Sequence, residues 1–208
     1  MTPSSSADPV VSQFGPELAA LACAFLWAFN GLVLRTQSDK VTPAAMNTIR
    51  CGIAGVLMWL VLPFDPTRLA GLLEIPLSQW ALLFLSFSVG IALGDTLYLG
   101  AIKEIGVSRS MALTGTFPLT TLVWEVALLG SSFDTTLALG SLLVALGVVC
   151  LARTEVGATE TPIHLRRGIA LALIASILWG FSSTLLKPAT VNMSPVQANA
   201  VRMPMIAL

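Results

Sequence analysis

Long, continuous apolar runs separated by short polar or proline-containing breaks make up most of this chain. A bilayer core about 30 Å thick needs roughly 20 apolar residues in a helix, and most of the runs approach or reach that length. Strands of a membrane barrel would instead alternate with period two over about ten residues. The pattern therefore predicts an all-α integral membrane protein.

The apolar runs predict six full membrane-spanning helices and the beginning of a seventh. The predicted spans cover residues 18–34, 43–62, 80–102, 110–129, 137–152 and 168–186, and the last helix begins at Pro195. Two of the breaks carry a recognisable helix start, since Thr42-Pro43 and Ser194-Pro195 each fit an N-cap followed by proline at the first helical position.

Two segments fall outside the predicted helices. Residues 1–16 are rich in Ser and Pro and contain no Lys or Arg, so we expect a disordered tail there. The missing basic region also argues against a signal peptide. Residues 153–167 are polar and are predicted to form a linker loop.

The chain contains an internal repeat. An ungapped alignment that places Trp27 on Trp179 also brings Arg50 onto Arg202. Charged positions in register are hard to obtain from shared hydrophobicity alone, so we infer a duplication.

The two copies differ in length. The first, residues 17–152, contains five predicted spans, and an odd number inverts the second copy, as in many secondary transporters. The second copy occupies residues 168–208 and stops early. Two complete copies would need roughly 300 residues in an inverted-repeat transporter. We therefore expect the chain to be truncated.

Composition agrees with a lipid environment. The 208 residues are 55% hydrophobic and 11% charged, with a mean hydropathy of +0.85. Soluble domains carry about 25% charged residues, so most of this surface must face lipid. The formal net charge is zero, which argues against binding to nucleic acid.

The supply of catalytic and metal-binding residues is small. The three cysteines have no C-x-x-C spacing and the chain has one histidine, His164. These counts support neither a disulfide framework, a metal site nor a hydrolytic triad. No nucleotide-binding motif is present. We expect a protein that is not an enzyme and carries no cofactor.

Several motifs resemble the drug/metabolite transporter superfamily, and within it the EamA-type permeases, which have ten helices in two repeats. The first helix of each repeat matches "FLWAFNGLVLR" and "ILWGFSSTLLK", and the second matches "NTIRCGIAG" and "NAVRMPMIA". The third to fifth helices match "ALGDTLYLGAIKEIGVSRSMALTGTFPL" and "LALGSLLVALGVVCLA". Family members often carry a Glu after the glycine that ends the fourth helix, where this chain has Ser131.

The fourth predicted span carries a polar stripe. Thr114, Pro118, Thr121 and Glu125 are spaced to share one face of a continuous helix, and polar groups in hydrocarbon need a partner, a cavity or a function. One interpretation is a pore-facing stripe with a protonatable carboxylate. The alternative is a helix end whose glutamate reaches interfacial water.

The third span carries Asp95, with Tyr98 one turn further on. This aspartate could bind a cationic group, exchange a proton, or form a structural ion pair with Arg50, because an unpaired buried charge is costly. Arg50 and Arg202 themselves suit either a structural or an anion-binding role. The glycine pairs Gly90/Gly94 and Gly140/Gly147 indicate close helix contacts.

The first helix of each repeat carries a tryptophan well inside its span: Trp27, with Asn30 near it, and Trp179. The resemblance implies that this helix lines a central cavity, whereas tryptophans can also serve as interface anchors. The candidate substrate-path residues are Trp27, Asn30, Asp95, Tyr98, Thr114, Pro118, Thr121, Glu125 and Trp179.

The resemblance implies a multi-pass plasma-membrane (cell inner membrane) permease or exporter. It would move a small organic metabolite or drug by alternating access. The alternative is a non-transporting membrane scaffold or assembly subunit. The expected partners are the lipid bilayer and a small-molecule substrate, plus a second copy or another chain if the protein truly ends at Leu208.

The orientation in the membrane stays open. Lys and Arg concentrate in the first, third and fifth loops, which by the positive-inside rule places the N-terminus outside. Ten-helix relatives usually have both termini in the cytoplasm.

Overall fold

The computed structural model describes residues 9–65, 74–154 and 164–207, and this part of the chain contains helices and turns but no strand. The α-helices are α1 (Pro9–Gln37), α2 (Pro43–Val61), α3 (Leu77–Phe87), α4 (Thr96–Ile105), α5 (Val107–Thr114), α6 (Phe117–Leu129), α7 (Thr135–Thr154), α8 (Leu165–Ala189) and α9 (Pro195–Ala207). A 3-10 turn, Leu62–Phe64, extends α2. A π-helical segment, Ser88–Asp95, joins α3 to α4.

Five helical stretches are long and apolar enough to cross a membrane: Gly15–Gln37, Pro43–Phe64, Leu77–Ile105, Val107–Leu129 and Leu165–Ala189. In α7 the shorter stretch Thr135–Gly147 is apolar as well. The all-α membrane fold predicted from the sequence is confirmed. The count of six full spans and a partial seventh stays a prediction.

The helices extend beyond several predicted boundaries. α1 begins at Pro9, so residues 9–16 of the predicted tail belong to it, and residues 1–8 lie outside the described part. Proline fits a first helical position, because its fixed φ suits a helix and its missing N–H is not needed there. Most of the predicted linker, residues 155–163, also lies outside the described residues.

Both predicted N-caps are present. The Thr42 side chain accepts a hydrogen bond from the Ala45 N–H at 3.3 Å. Ser194 Oγ accepts from the Gln197 N–H at 3.1 Å, and Gln197 Oε1 accepts from the Ser194 N–H at 2.9 Å. The second arrangement is a reciprocal capping box, which satisfies backbone donors at the start of α9.

Helix α8 is the central element and contacts α3, the π-helical segment, α4, α5 and α6. Glycines permit this closeness: a Cβ at Gly90 would overlap the Ser182 side chain, and one at Gly94 would lie 2.8 Å from Cδ1 of Trp179. The predicted packing role of Gly90 and Gly94 is confirmed.

The other glycine pair behaves differently. A Cβ at Gly140 or Gly147 would meet no atom of the described residues within 4 Å. Among the described residues, therefore, this pair does not form the close helix contact that was predicted for it.

Helices α2 and α9 pack against each other in antiparallel directions. Trp59 Nε1 donates to the Ala200 carbonyl at 2.9 Å, and Ser194 Oγ donates to Asp65 Oδ2 at 2.7 Å. The contacts advance along α2 while they retreat along α9. Antiparallel equivalent helices are what inverted repeats require. The duplication itself stays a prediction.

The fourth predicted span is interrupted. Helix α5 ends at Thr114, and a turn at Gly115 and Thr116 precedes α6, whose first turn contains Pro118. Proline disrupts a helix interior but suits a first turn, so the chain restarts its helix here. Thr114 therefore lies on α5, whereas Pro118, Thr121 and Glu125 lie together on α6, so the prediction that all four lie on one unbroken helix is wrong for Thr114.

Candidate functional site

A cavity of about 810 Å³ opens among α1, α2, the π-helical segment, the start of α6, α8 and α9. Its wall is apolar except for a small set of polar side chains and two thiols. These are Cys23, Asn30, Arg50, Cys51, Asp95, Ser182, Ser183 and Arg202, together with the rings of Trp27, Phe117 and Trp179.

The cavity lies near mid-membrane depth by position along its helices. Trp27 is near the middle of the span Gly15–Gln37, and Trp179 is near the middle of Leu165–Ala189. Concave sites with an apolar wall and a few placed polar groups are the usual form of small-molecule sites.

Asp95 closes one side of the cavity and is 8% exposed. Its Oδ2 accepts from Arg50 Nη2 in a direct ion pair, and its Oδ1 accepts from Trp179 Nε1 at 2.8 Å. Of the roles considered for Asp95, the structure shows the ion pair with Arg50. That pair neutralises the carboxylate where hydrocarbon surroundings make charge expensive.

The side-chain amide of Asn47 forms hydrogen bonds to Arg50 and to the segment that carries Asp95. Arg50 Nη2 also donates to Asn47 Oδ1 at 2.9 Å. Asn47 Nδ2 in turn donates to the Ile91 carbonyl at 2.7 Å and to Thr96 Oγ1 at 3.2 Å. Asn47 thereby links α2 to the π-helical segment that ends at Asp95.

Aromatic rings form another part of the same cavity wall. Trp27 stacks on Tyr98 with ring centroids 6.0 Å apart, and Trp179 lies 5.1 Å from Tyr98. Trp179 also meets Trp27 edge-on at 5.9 Å and Phe117 at 6.2 Å. Tyr98 itself is 1% exposed and supports the cluster from behind.

Two serines hold the end of α3 against α8. Ser86 Oγ donates to the Ser182 carbonyl at 2.9 Å, and Ser182 Oγ donates to the Ser86 carbonyl at 2.8 Å. This crossed pair satisfies polar groups at a close helix contact, as hydroxyls do inside membranes.

Arg202 differs from Arg50 although the sequence places them at equivalent positions. It lines the cavity from α9, and within the described part of the chain it forms no ion pair. The buried Nε atoms of both arginines have no hydrogen-bond partner among those residues, so the difference between them lies in the ion pair.

The predicted site residues divide into two groups. Trp27, Asn30, Asp95 and Trp179 line the cavity, and Tyr98 contacts two of its rings. Thr114, Pro118, Thr121 and Glu125 do not line it, and their part in a substrate path stays a prediction.

The second group has other contacts. Glu125 forms an ion pair with Lys187 of α8 at 2.6 Å. Thr114 and Thr121 donate their hydroxyls to carbonyls within their own chain segment, those of Ser110 and Phe117.

Several lining residues fell outside the predicted set, above all Arg50, Arg202, Ser182, Ser183 and Phe117. The rule that a charge inside the membrane marks a functional position would have included both arginines. In the part of the chain that the structure describes, no three His, Cys, Asp or Glu side chains group to hold a metal ion.

Comparison with known proteins gives two findings. The EamA-like transporter family matches residues 15–153, more than half of the chain. An uncharacterized transporter of Archaeoglobus fulgidus is 25% identical over 166 residues, which is 79% of this chain and 56% of the relative. The chain thus spans just over half the length of that relative. No solved structure gives a significant match.

Proposed function

Because the chain belongs to the EamA-like transporter family, we propose that it forms the substrate-binding part of a secondary transporter. Its substrate is a small organic metabolite or drug, and its location is the plasma membrane. The observation that carries the proposal is the cavity of about 810 Å³, lined by Asp95, two arginines and aromatic rings in an otherwise apolar bundle.

The arrangement of helices supports alternating access as the mechanism. The cavity lies where α1 and α2 of the first predicted repeat meet α8 and α9 of the second. In inverted-repeat carriers the site lies at the repeat interface near the midplane, and rocking of one bundle against the other exposes it to each side in turn.

The candidate substrate path begins with Trp27, Asn30, Asp95 and Trp179, which line the cavity, and Tyr98, which supports its rings. Thr114, Pro118, Thr121 and Glu125 are retained as candidates for a more distant part of the path. The rival function is a membrane scaffold without flux, in which the same polar groups serve only helix packing.

Filling the cavity separates the two functions. The purified full-length protein is reconstituted in liposomes, and uptake is measured for a panel of labelled amino acids, sugars and aromatic organic acids. Ser183→Trp places a large ring in the cavity and is expected to lower flux by about ten-fold or more, because substrate loses its binding space.

The matched control is Leu143→Trp, at a position of α7 that is 69% exposed. It introduces the same ring on the outer surface and should leave flux unchanged. A carrier gives flux that Ser183→Trp lowers by about ten-fold or more without loss of folded protein. Absence of flux for every compound with the unsubstituted protein would support the scaffold.

A further inference from the structure

The charges of the cavity wall point to the chemistry of its ligand. We propose that the cavity binds a small organic anion with an aromatic or apolar body, whose negative group pairs with Arg202. This inference rests on the proposed transport function and names the substrate class of the same site.

The first argument is a count of charges. The charged residues that line the cavity in the described part of the chain are Arg50, Arg202 and Asp95, which leaves an excess of one positive charge. Asp95 is already neutralised by Arg50, and its other oxygen accepts from Trp179. The described part of the wall therefore offers a cationic ligand no free carboxylate.

The second argument is the state of Arg202. Arg202 lines the cavity with no ion-pair partner among the described residues, and its Nε, like that of Arg50, is buried without a hydrogen-bond partner there. An uncompensated charge at membrane depth is costly. Arginine presents a planar fork of donors that matches a carboxylate, so an organic carboxylate relieves that cost.

The third argument is the remaining wall, which suits the body of such an anion. Trp27, Trp179 and Phe117 supply aromatic surface to the cavity. Flat apolar groups bury well against such rings, and offset or edge-on contacts between aromatic rings add further attraction. A ring bearing a short carboxylate therefore satisfies both parts of the wall.

A set of three probes with the same ring tests the charge preference. Phenylacetate is an anion, phenylacetamide is its neutral analogue of nearly the same shape, and phenethylamine is a cation. Binding to the purified full-length protein in detergent is measured by tryptophan fluorescence and by equilibrium dialysis. Phenylacetate is expected to bind about ten-fold or more tightly than phenylacetamide, because only the carboxylate adds attraction of opposite charges and a second acceptor oxygen to its hydrogen bonds with the guanidinium.

Variants of Arg202 assign the preference to this side chain. Arg202→Gln is expected to reduce the acid-to-amide ratio to near one, while Arg202→Lys keeps most of it. Arg167→Gln is the control, because Arg167 is 70% exposed and pairs with Glu104 at 3.5 Å, away from the cavity.

The proposal is overturned if phenethylamine binds best, if Arg202→Gln leaves the acid-to-amide ratio unchanged, or if no probe binds at millimolar concentration. Flux measurements keep this result separate from the proposed function. Selective anion binding without flux of any compound removes the transporter and keeps the anion site. Flux of cations alone keeps the transporter and removes the anion site.

Discussion

Both carboxylate oxygens of Asp95 have partners, and these contacts explain how a carboxylate persists in the bundle. Arg50 cancels its charge, Trp179 occupies the second oxygen, and Asn47 holds Arg50 in place. Breaking a buried pair by removing one partner leaves an uncompensated charge, which costs about 3–5 kcal/mol. The pair is therefore expected to determine local stability as well as the electrostatics of the wall.

A double-mutant cycle on this pair tests that expectation. Asp95→Asn and Arg50→Gln are each expected to destabilise the protein by about 3 kcal/mol, because each leaves one charge unpaired. The double variant should be less destabilised than the sum by about 1–3 kcal/mol. Thermal unfolding in detergent provides the measurement, and strictly additive effects would contradict the pairing.

At this scale the sequence predicted part of the site. Asp95, Trp27 and Trp179 could be selected because polar and aromatic groups well inside apolar spans need a partner or a cavity. The stripe from Thr114 to Glu125 was predicted on one unbroken helix with a 3.6-residue period. In the structure a turn at Gly115 and Thr116 separates Thr114 from the other three residues. Lys187, the partner of Glu125, lies far along the chain, and such a pairing has no local signature.

Among the elements, the third span shows how a local irregularity positions chemistry. It passes from α3 through the eight-residue π-helical segment, which ends at Asp95, into α4. Extra residues per turn change which side chains face a neighbour, and π-helical insertions are frequent at functional sites. The sequence predicted a span here, but π-helical turns have no distinctive pattern of apolar residues.

The glycine beside Asp95 provides a test of this element. A methyl group at Gly94 would lie 2.8 Å from Cδ1 and 2.9 Å from Nε1 of Trp179. Gly94→Ala is therefore expected to displace the indole that donates to Asp95 and to destabilise the protein by about 1–3 kcal/mol through overpacking.

Gly140→Ala is the matched control, since a Cβ there meets nothing within 4 Å among the described residues. It should leave the melting temperature equal or slightly higher, because alanine has the greater helix propensity. Both variants are compared by thermal unfolding monitored through tryptophan fluorescence. Equal melting temperatures for the two variants would show that α8 does not need the glycine at position 94.

At the scale of the whole molecule, the antiparallel packing of α2 against α9 brings residues of both helices to the cavity wall. Their contacts place two equivalently positioned arginines on one cavity: Arg50 is paired with Asp95, and Arg202 has no ion-pair partner among the described residues. The sequence predicted the all-α membrane fold from apolar run length. The packing partners of each helix depend on contacts between distant segments, which periodicity alone does not specify.

Alternating access predicts that water reaches the cavity from both sides of the membrane in turn. We expect Asn30→Cys, in a chain with Cys23, Cys51 and Cys150 replaced by Ser, to react with a membrane-impermeant charged thiol reagent from either side of sealed vesicles. The Asn30 side chain lines the cavity, so phenylacetate should slow the reaction from both sides.

Leu143→Cys in the same background is the control. It lies on the apolar outer surface of α7, where lipid excludes a charged reagent, so neither side should label it. Vesicles loaded with a soluble thiol distinguish a permanent pore, because reagent that leaks through would consume the thiol inside. Labelling of the Asn30 position from one side only would show a fixed pocket and favour the scaffold. Labelling from both sides without leakage requires that the helices around the cavity move.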